Sequence, residues 1–120
     1  MSVNIVVVDD DPGFRRVARA LLTARGLRVV AESPDGASAI AAVREHHPDG
    51  VLLDLHLPGE DGLSVARAIT GQGHPLRIVM TSTDRWLWSE EELAGTGIVR
   101  FVPKDRLFDT DLKALFSATA

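Results

Sequence analysis

The sequence predicts a three-layer α/β domain built on a parallel sheet. Three observations predict it: five short apolar runs recur along the chain, helical periodicities separate them, and chemistry-bearing residues follow directly after the runs. The runs are residues 5–8, 29–31, 51–53, 78–80 and 98–102, and only the last alternates cleanly between apolar and polar. Near-continuous apolar strands are those buried on both faces, as in a parallel sheet covered by helices. A strand–helix unit repeated five times then implies right-handed crossovers.

The helices can be read in order. Phe14, Val17, Ala18, Leu21 and Leu22 recur at helical spacing and predict an apolar face. Asp11 stands as N-cap before Pro12 at the first helical position. Gly26 is the expected stop. A second helix covers 37–45, with Ile40 and Val43 inward. His46 and His47 follow at its C-terminal end, where a cation suits the helix dipole. Leu63, Ala66 and Ile69 mark a third helix ending near Gly71. Ser89 and Glu92 form a capping box for a short fourth. Phe108, Leu112, Leu115 and Phe116 mark a fifth.

Length and composition exclude more than they specify. The 120 residues suit one domain, 1–120, large enough for a core of its own. Cysteine is absent, so disulfides and Cys-based zinc sites are excluded, in keeping with a cytoplasmic setting. No segment reads as a signal peptide or a membrane span. A net charge of −4 makes the domain itself a poor candidate for gripping nucleic acid through phosphates. There is no GxxxxGK[ST] loop, HExxH or GxSxG.

Ligands of open α/β sheets bind beyond the carboxyl ends of the strands. At those ends stand Asp9, Asp10 and Asp11, then Asp54, then Thr81, Ser82 and Thr83, then Lys104. A single Asp there is more often a helix cap, which is the role expected of Asp11. Convergence is what points to chemistry. Clustered carboxylates raise one another's pKa or recruit a cation, and hard oxygens suit Mg²⁺. An ammonium and a hydroxyl complete a phosphate site. A carboxylate so flanked is suited to attack phosphorus and become an aspartyl phosphate.

The stretches IVVVDDDPGFRR, VLLDLHLPGEDGL, IVMTST and VRFVPKDRL resemble the signature segments of response-regulator receiver domains. The resemblance runs from about residue 4 to 107, with 44 residues from Asp10 to Asp54, 28 on to Ser82 and 22 on to Lys104. It implies a flavodoxin-like (βα)5 fold, strand order 2-1-3-4-5, by analogy with receivers of that order. It implies a Mg²⁺ (or Mn²⁺) site at Asp9, Asp10, Asp54 and the backbone carbonyl of His56, with Asp9 acting largely through water. Asp54 matches the phosphoacceptor, and Ser82, rather than Thr81, matches the family's hydroxyl. Lys104 matches the lysine and Phe101 the aromatic switch position, while Pro58 and Gly59 match the turn after strand three.

The implied partners are a sensor histidine kinase and an output domain or downstream protein, with a homodimer as a further implication. The chain is expected to be a signalling phosphoacceptor, not an enzyme. It departs from many receivers in having Asp105 after Lys104 and Pro103 before it. V-P-K-D resembles the subgroup carrying a helix-turn-helix output, which would make the chain the N-terminal part of a longer transcription regulator. Segment 85–95, with Trp86 and Trp88, is atypical, and those two rings are expected at the core or its rim. Two rivals remain. An aspartyl-phosphate phosphohydrolase would want a second carboxylate where His56 stands; a degenerate receiver acting only as an interaction module would not need the full acidic set.

Overall fold

The computed structural model of the chain describes residues 2–73, 75–83 and 88–117. The five predicted strands are β1 (Asn4–Val8), β2 (Arg28–Ser33), β3 (Gly50–Asp54), β6 (Arg77–Ser82) and β7 (Ile98–Pro103). They form one sheet in the order β2-β1-β3-β6-β7, which is the predicted 2-1-3-4-5 order of the long strands, and every pairing in it is parallel. The helices are α1 (Pro12–Ala24), α2 (Gly36–His46), α3 (Gly62–Thr70), α4 (Glu90–Leu93) and α5 (Leu112–Ser117).

Strand parity divides the core in two. Val6, Val8, Val51, Leu53, Ile78 and Met80 pack on one face of the sheet with Ala39, Val43, Ala66 and Ile69 from α2 and α3. Ile5, Val7, Leu52, Val79 and Val102 pack on the other with Ala18 and Leu22 from α1 and Leu112 and Phe116 from α5. Fully burying each Val, Leu, Ile, Met or Phe among them contributes about 1.5–3 kcal/mol before chain entropy is set against it. The expected two-sided burial holds for β3, whose five residues are all buried. It fails for β2, an edge strand that leaves Arg28 and Glu32 exposed, while β7, the other edge and the run that alternates in sequence, leaves Val99 and Arg100 exposed.

The caps follow the sequence signals. The Asp11 side chain accepts from the Gly13 N–H, and Pro12 opens α1. Gly26, at φ +81°, follows its end. There Leu27 N–H donates to the Leu22 carbonyl and Gly26 N–H to that of Thr23, the paired bonds of a Schellman stop. His47 ends α2 in the left-handed region, directly after His46. Ser89 and Glu92 make the reciprocal capping box of α4.

Some expectations fail. Val17 is 47% exposed, so α1 turns a narrower apolar face inward than its periodicity suggested. Phe108 is 59% exposed and lies outside the fifth helix, in a 3-10 segment, Lys104–Asp109, which carries the chain from β7 toward α5. A small hairpin, β4 (His56–Leu57) and β5 (Glu60–Asp61), was not foreseen as strands; Pro58 and Gly59 form its turn, with Gly59 at φ +68°. Trp88 packs partly buried on the core, as expected. Trp86 and His74 lie outside the described residues. Among the described residues no helix is long and apolar enough to cross a membrane.

Candidate functional site

The parallel register gathers the predicted residues at one end of the sheet. Val8 pairs with Leu53, so Asp9 and Asp54 come next, side by side, as the chain leaves β1 and finishes β3. Asp54 pairs with Thr81, and Thr81 with Val102, so Lys104 follows two residues past the same rung. Asp9, Asp10 and Asp54 each offer one carboxylate oxygen, and these three atoms lie within 4.8 Å of one another. Asp9 and Asp54 are buried, whereas Asp10 faces solvent.

Lys104 brings a cation to this cluster. Its Nζ lies 2.7 Å from Asp9 Oδ2 and 3.8 Å from Asp54 Oδ2. The same ammonium sits 4.2 Å from the centre of the Phe14 ring, a distance suited to cation–π attraction. Backbone donors fix the carboxylates further. Asp11 N–H donates to Asp9 Oδ1 at 2.9 Å, and His56 N–H donates to Asp54 Oδ1 at 3.2 Å. Arg15 Nη1 donates to the Asp9 carbonyl at 2.6 Å while its Nε faces Glu32 Oε1 at 3.4 Å, and Arg19 holds the other oxygen of Glu32 at 2.6 Å. The acidic turn after β1 is thereby tied to the end of β2.

Among the described residues, one ammonium faces three carboxylates. Asp54 carries the consequence: burial, then the negative charge of Asp9, push its pKa up to about 6, against the opposing pull of the His56 N–H and of Lys104. The donor set is all hard oxygen and partly buried, with more carboxylates than cations among the described residues, which fits a small divalent cation of the Mg²⁺ type. The His56 side chain is exposed, and its backbone lies at the rim beside Asp54, in the hairpin strand that pairs with β5.

Ser82 is buried at the last position of β6, on the face of the strand that carries Met80 and not on that of Thr81. Phe101 pairs with Met80 and is half-buried against the same core cluster, so Ser82 and Phe101 share a side of the sheet. Three neighbours were not read from the sequence as site residues. Phe14 was counted only in the apolar face of α1. Arg15 was not singled out; a long cation one turn into the helix after an acidic run was the available signal. Thr81 was set aside in favour of its neighbour.

The comparisons with known proteins concern the family and the fold. The response regulator receiver domain model matches residues 5–115. A probable transcriptional regulatory protein NarL of Mycobacterium tuberculosis is 43% identical over 82 residues, which are 68% of this chain and 38% of that protein. A protein-glutamate methylesterase/protein-glutamine glutaminase of Myxococcus xanthus is 38% identical over 114 residues, covering 91% of this chain and 32% of the relative. The match thus spans less than two fifths of either relative's length. The solved signal receiver domain of a putative response regulator NarL from Mycobacterium tuberculosis superposes with a TM-score of 0.80 at 36% identity, covering 94% of this chain and 92% of that one. With the sheet order, the acidic cluster and the lysine already in place, this chain belongs to the response regulator receiver domain family.

Proposed function

We propose that Asp54 is the phosphoacceptor of this receiver and that its phosphorylation switches an output domain or partner, most simply in transcriptional control. The observation that carries the reading is the position of Lys104, whose ammonium lies against both Asp9 and Asp54 at the strand ends. A carboxylate held by a backbone N–H at one oxygen keeps the other free to attack. The attack forms a bond from an Asp54 oxygen to phosphorus. The donor's bond to phosphorus breaks, with its electron pair leaving on the imidazole of a kinase phosphohistidine or on acetate from acetyl phosphate. Lys104 is placed to neutralise a phosphoryl oxygen.

A divalent cation, when bound, supplies the charge that lets a phosphoryl oxygen join the acidic cluster. Asp10, Asp54 and the His56 carbonyl would hold Mg²⁺ or Mn²⁺ directly, and Asp9 largely through water. Ser82 would donate to the phosphoryl group from the neighbouring strand end. Donation from a sensor kinase's phosphohistidine goes with a cytoplasmic setting, and the helix-turn-helix resemblance goes with a longer regulator that pairs into dimers. Turnover of external phosphate esters is not part of the reading, because His56 stands where a second carboxylate would serve as general acid.

The test is phosphoryl uptake from acetyl phosphate with Mg²⁺. Wild type should gain an acid-stable, base-labile acyl phosphate that Asp54→Asn lacks, and Asp10→Ala or EDTA should slow uptake at least ten-fold. Equal labelling of Asp54→Asn would remove Asp54 from the role.

A further inference from the structure

Two adjacent hydroxyls end β6, and parity sends them to opposite faces. Ser82 faces the side of Met80 and Phe101. Thr81 shares its rung, and therefore its face, with Asp54 on β3 and Val102 on β7. Lys104, two residues beyond Val102, reaches across to Asp54 and Asp9. Neighbouring strands lie about 4.8 Å apart, so a side chain bridging from β7 to β3 passes the end of β6 where Thr81 stands. Thr81 is completely buried, and its Oγ1 has no hydrogen-bond partner among the described residues.

A buried hydroxyl without a partner is a cost that valine, of nearly the same shape, would not incur. The side chain that shares this rung on β3 and carries an acceptor is that of Asp54. We propose that Thr81 is a positioning residue for phosphoryl acceptance, its hydroxyl donating to the Asp54 carboxyl as that group reacts. The inference rests on Asp54 being the phosphoacceptor. One Asp54 oxygen bonds to phosphorus as the bond between phosphorus and the donor breaks. The other becomes the acyl carbonyl, and the Thr81 O–H holds it without giving up its proton. Ser82 and Thr81 thus divide the work, one toward the phosphoryl group and the switch side, the other toward the root of the acceptor.

The experiment measures the initial rate of phosphoryl uptake from acetyl phosphate with Mg²⁺, together with the melting temperature, for the whole chain. Thr81→Val should slow uptake about ten-fold while melting at or above the wild-type temperature. Thr81→Ser, which keeps the hydroxyl, should restore uptake to within two- to three-fold of wild type. Thr81→Ala should be as slow as Thr81→Val. A purely structural threonine would give the reverse: unchanged uptake in Thr81→Val, or rates that follow side-chain volume and not the hydroxyl, and either result overturns the proposal. If wild type and Asp54→Asn label alike, the phosphoacceptor reading fails first and takes this one with it.

Discussion

Asp54 illustrates how a single residue places function against stability. Burial and the charge of Asp9 raise its pKa from 3.8 to about 6. A carboxyl group whose folded pKa is raised binds protons more tightly in the native state than in the unfolded chain. The contribution of Asp54 to stability is therefore most favourable at acid pH, falls as pH rises from about 4 to about 6, and stays lower above that. The shift is worth roughly 1–3 kcal/mol against the ionised native state at neutral pH. Removing the charge while keeping the shape should recover part of it. Asp54→Asn is expected to melt roughly 4–8 °C above wild type at pH 7.5 in EDTA, and the gap should close near pH 4. Mg²⁺ should narrow the gap from the other side by stabilising wild type alone. A variant no more stable than wild type at pH 7.5 would show that Lys104 and the His56 N–H already compensate the buried charge. The chain order already implied that clustered carboxylates raise one another's pKa; the burial beneath the strand ends and the 3.8 Å approach of Lys104, which set the balance at Asp54, were not visible in it.

Elements join where backbone conformation leaves little choice, and the loop entering β7 offers a matched comparison. Gly95 and Gly97 both adopt φ +75°. A Cβ on Gly95 would meet open space, whereas one on Gly97 would collide with Thr70 Oγ1. That hydroxyl donates to the Thr96 carbonyl at 2.7 Å, and the Gly97 carbonyl accepts from Ile78 N–H to start the β6–β7 ladder. Gly95→Ala should cost only the left-handed conformation, about 1–2 kcal/mol. Gly97→Ala should cost at least 1 kcal/mol more, since Thr70 has to move, and the difference is measurable by urea denaturation. Equal losses would mean that the loop yields without disturbing α3. The sequence made the long elements legible because apolar periodicity and caps such as Asp11, Gly26 and Ser89–Glu92 are local signals. The hairpin at His56–Asp61 was hidden because two-residue strands have no period. Phe108 was misread because Leu107 carries the inward contact of the 3-10 segment, and an apolar residue beside it was added to the next helical pattern.

At the scale of the whole molecule, the site was legible as a set of strand ends, since a parallel sheet must bring them to one edge. What was not legible was which face each residue takes, and that decides how the switch would work. Ser82 lies on the same side of β6 as Met80, whose partner across the ladder is Phe101. Phe101 is half-buried and lines a groove of about 350 Å³ with Leu93, Ile98, Val99 and Arg100, between α4 and β7. The ring therefore has both a core side and an open side within reach. A phosphoryl group on Asp54 adds charge and strong acceptor oxygens, and a hydroxyl on the adjacent strand end is drawn to them. Inward movement of Ser82 would free space on the side of the sheet that Phe101 shares. Completing the burial of a half-buried phenyl ring is worth about 1 kcal/mol, enough to shift a two-state population roughly five-fold. The surface that α4 and β7 offer to a partner would change with it. NMR of the Phe101 ring, with and without beryllofluoride and Mg²⁺, measures this directly. The resonance should move in wild type, while Ser82→Ala should bind beryllofluoride yet move less than half as far. A ring unmoved in wild type would mean that Phe101 is fixed packing, and equal movement in both proteins would uncouple it from Ser82.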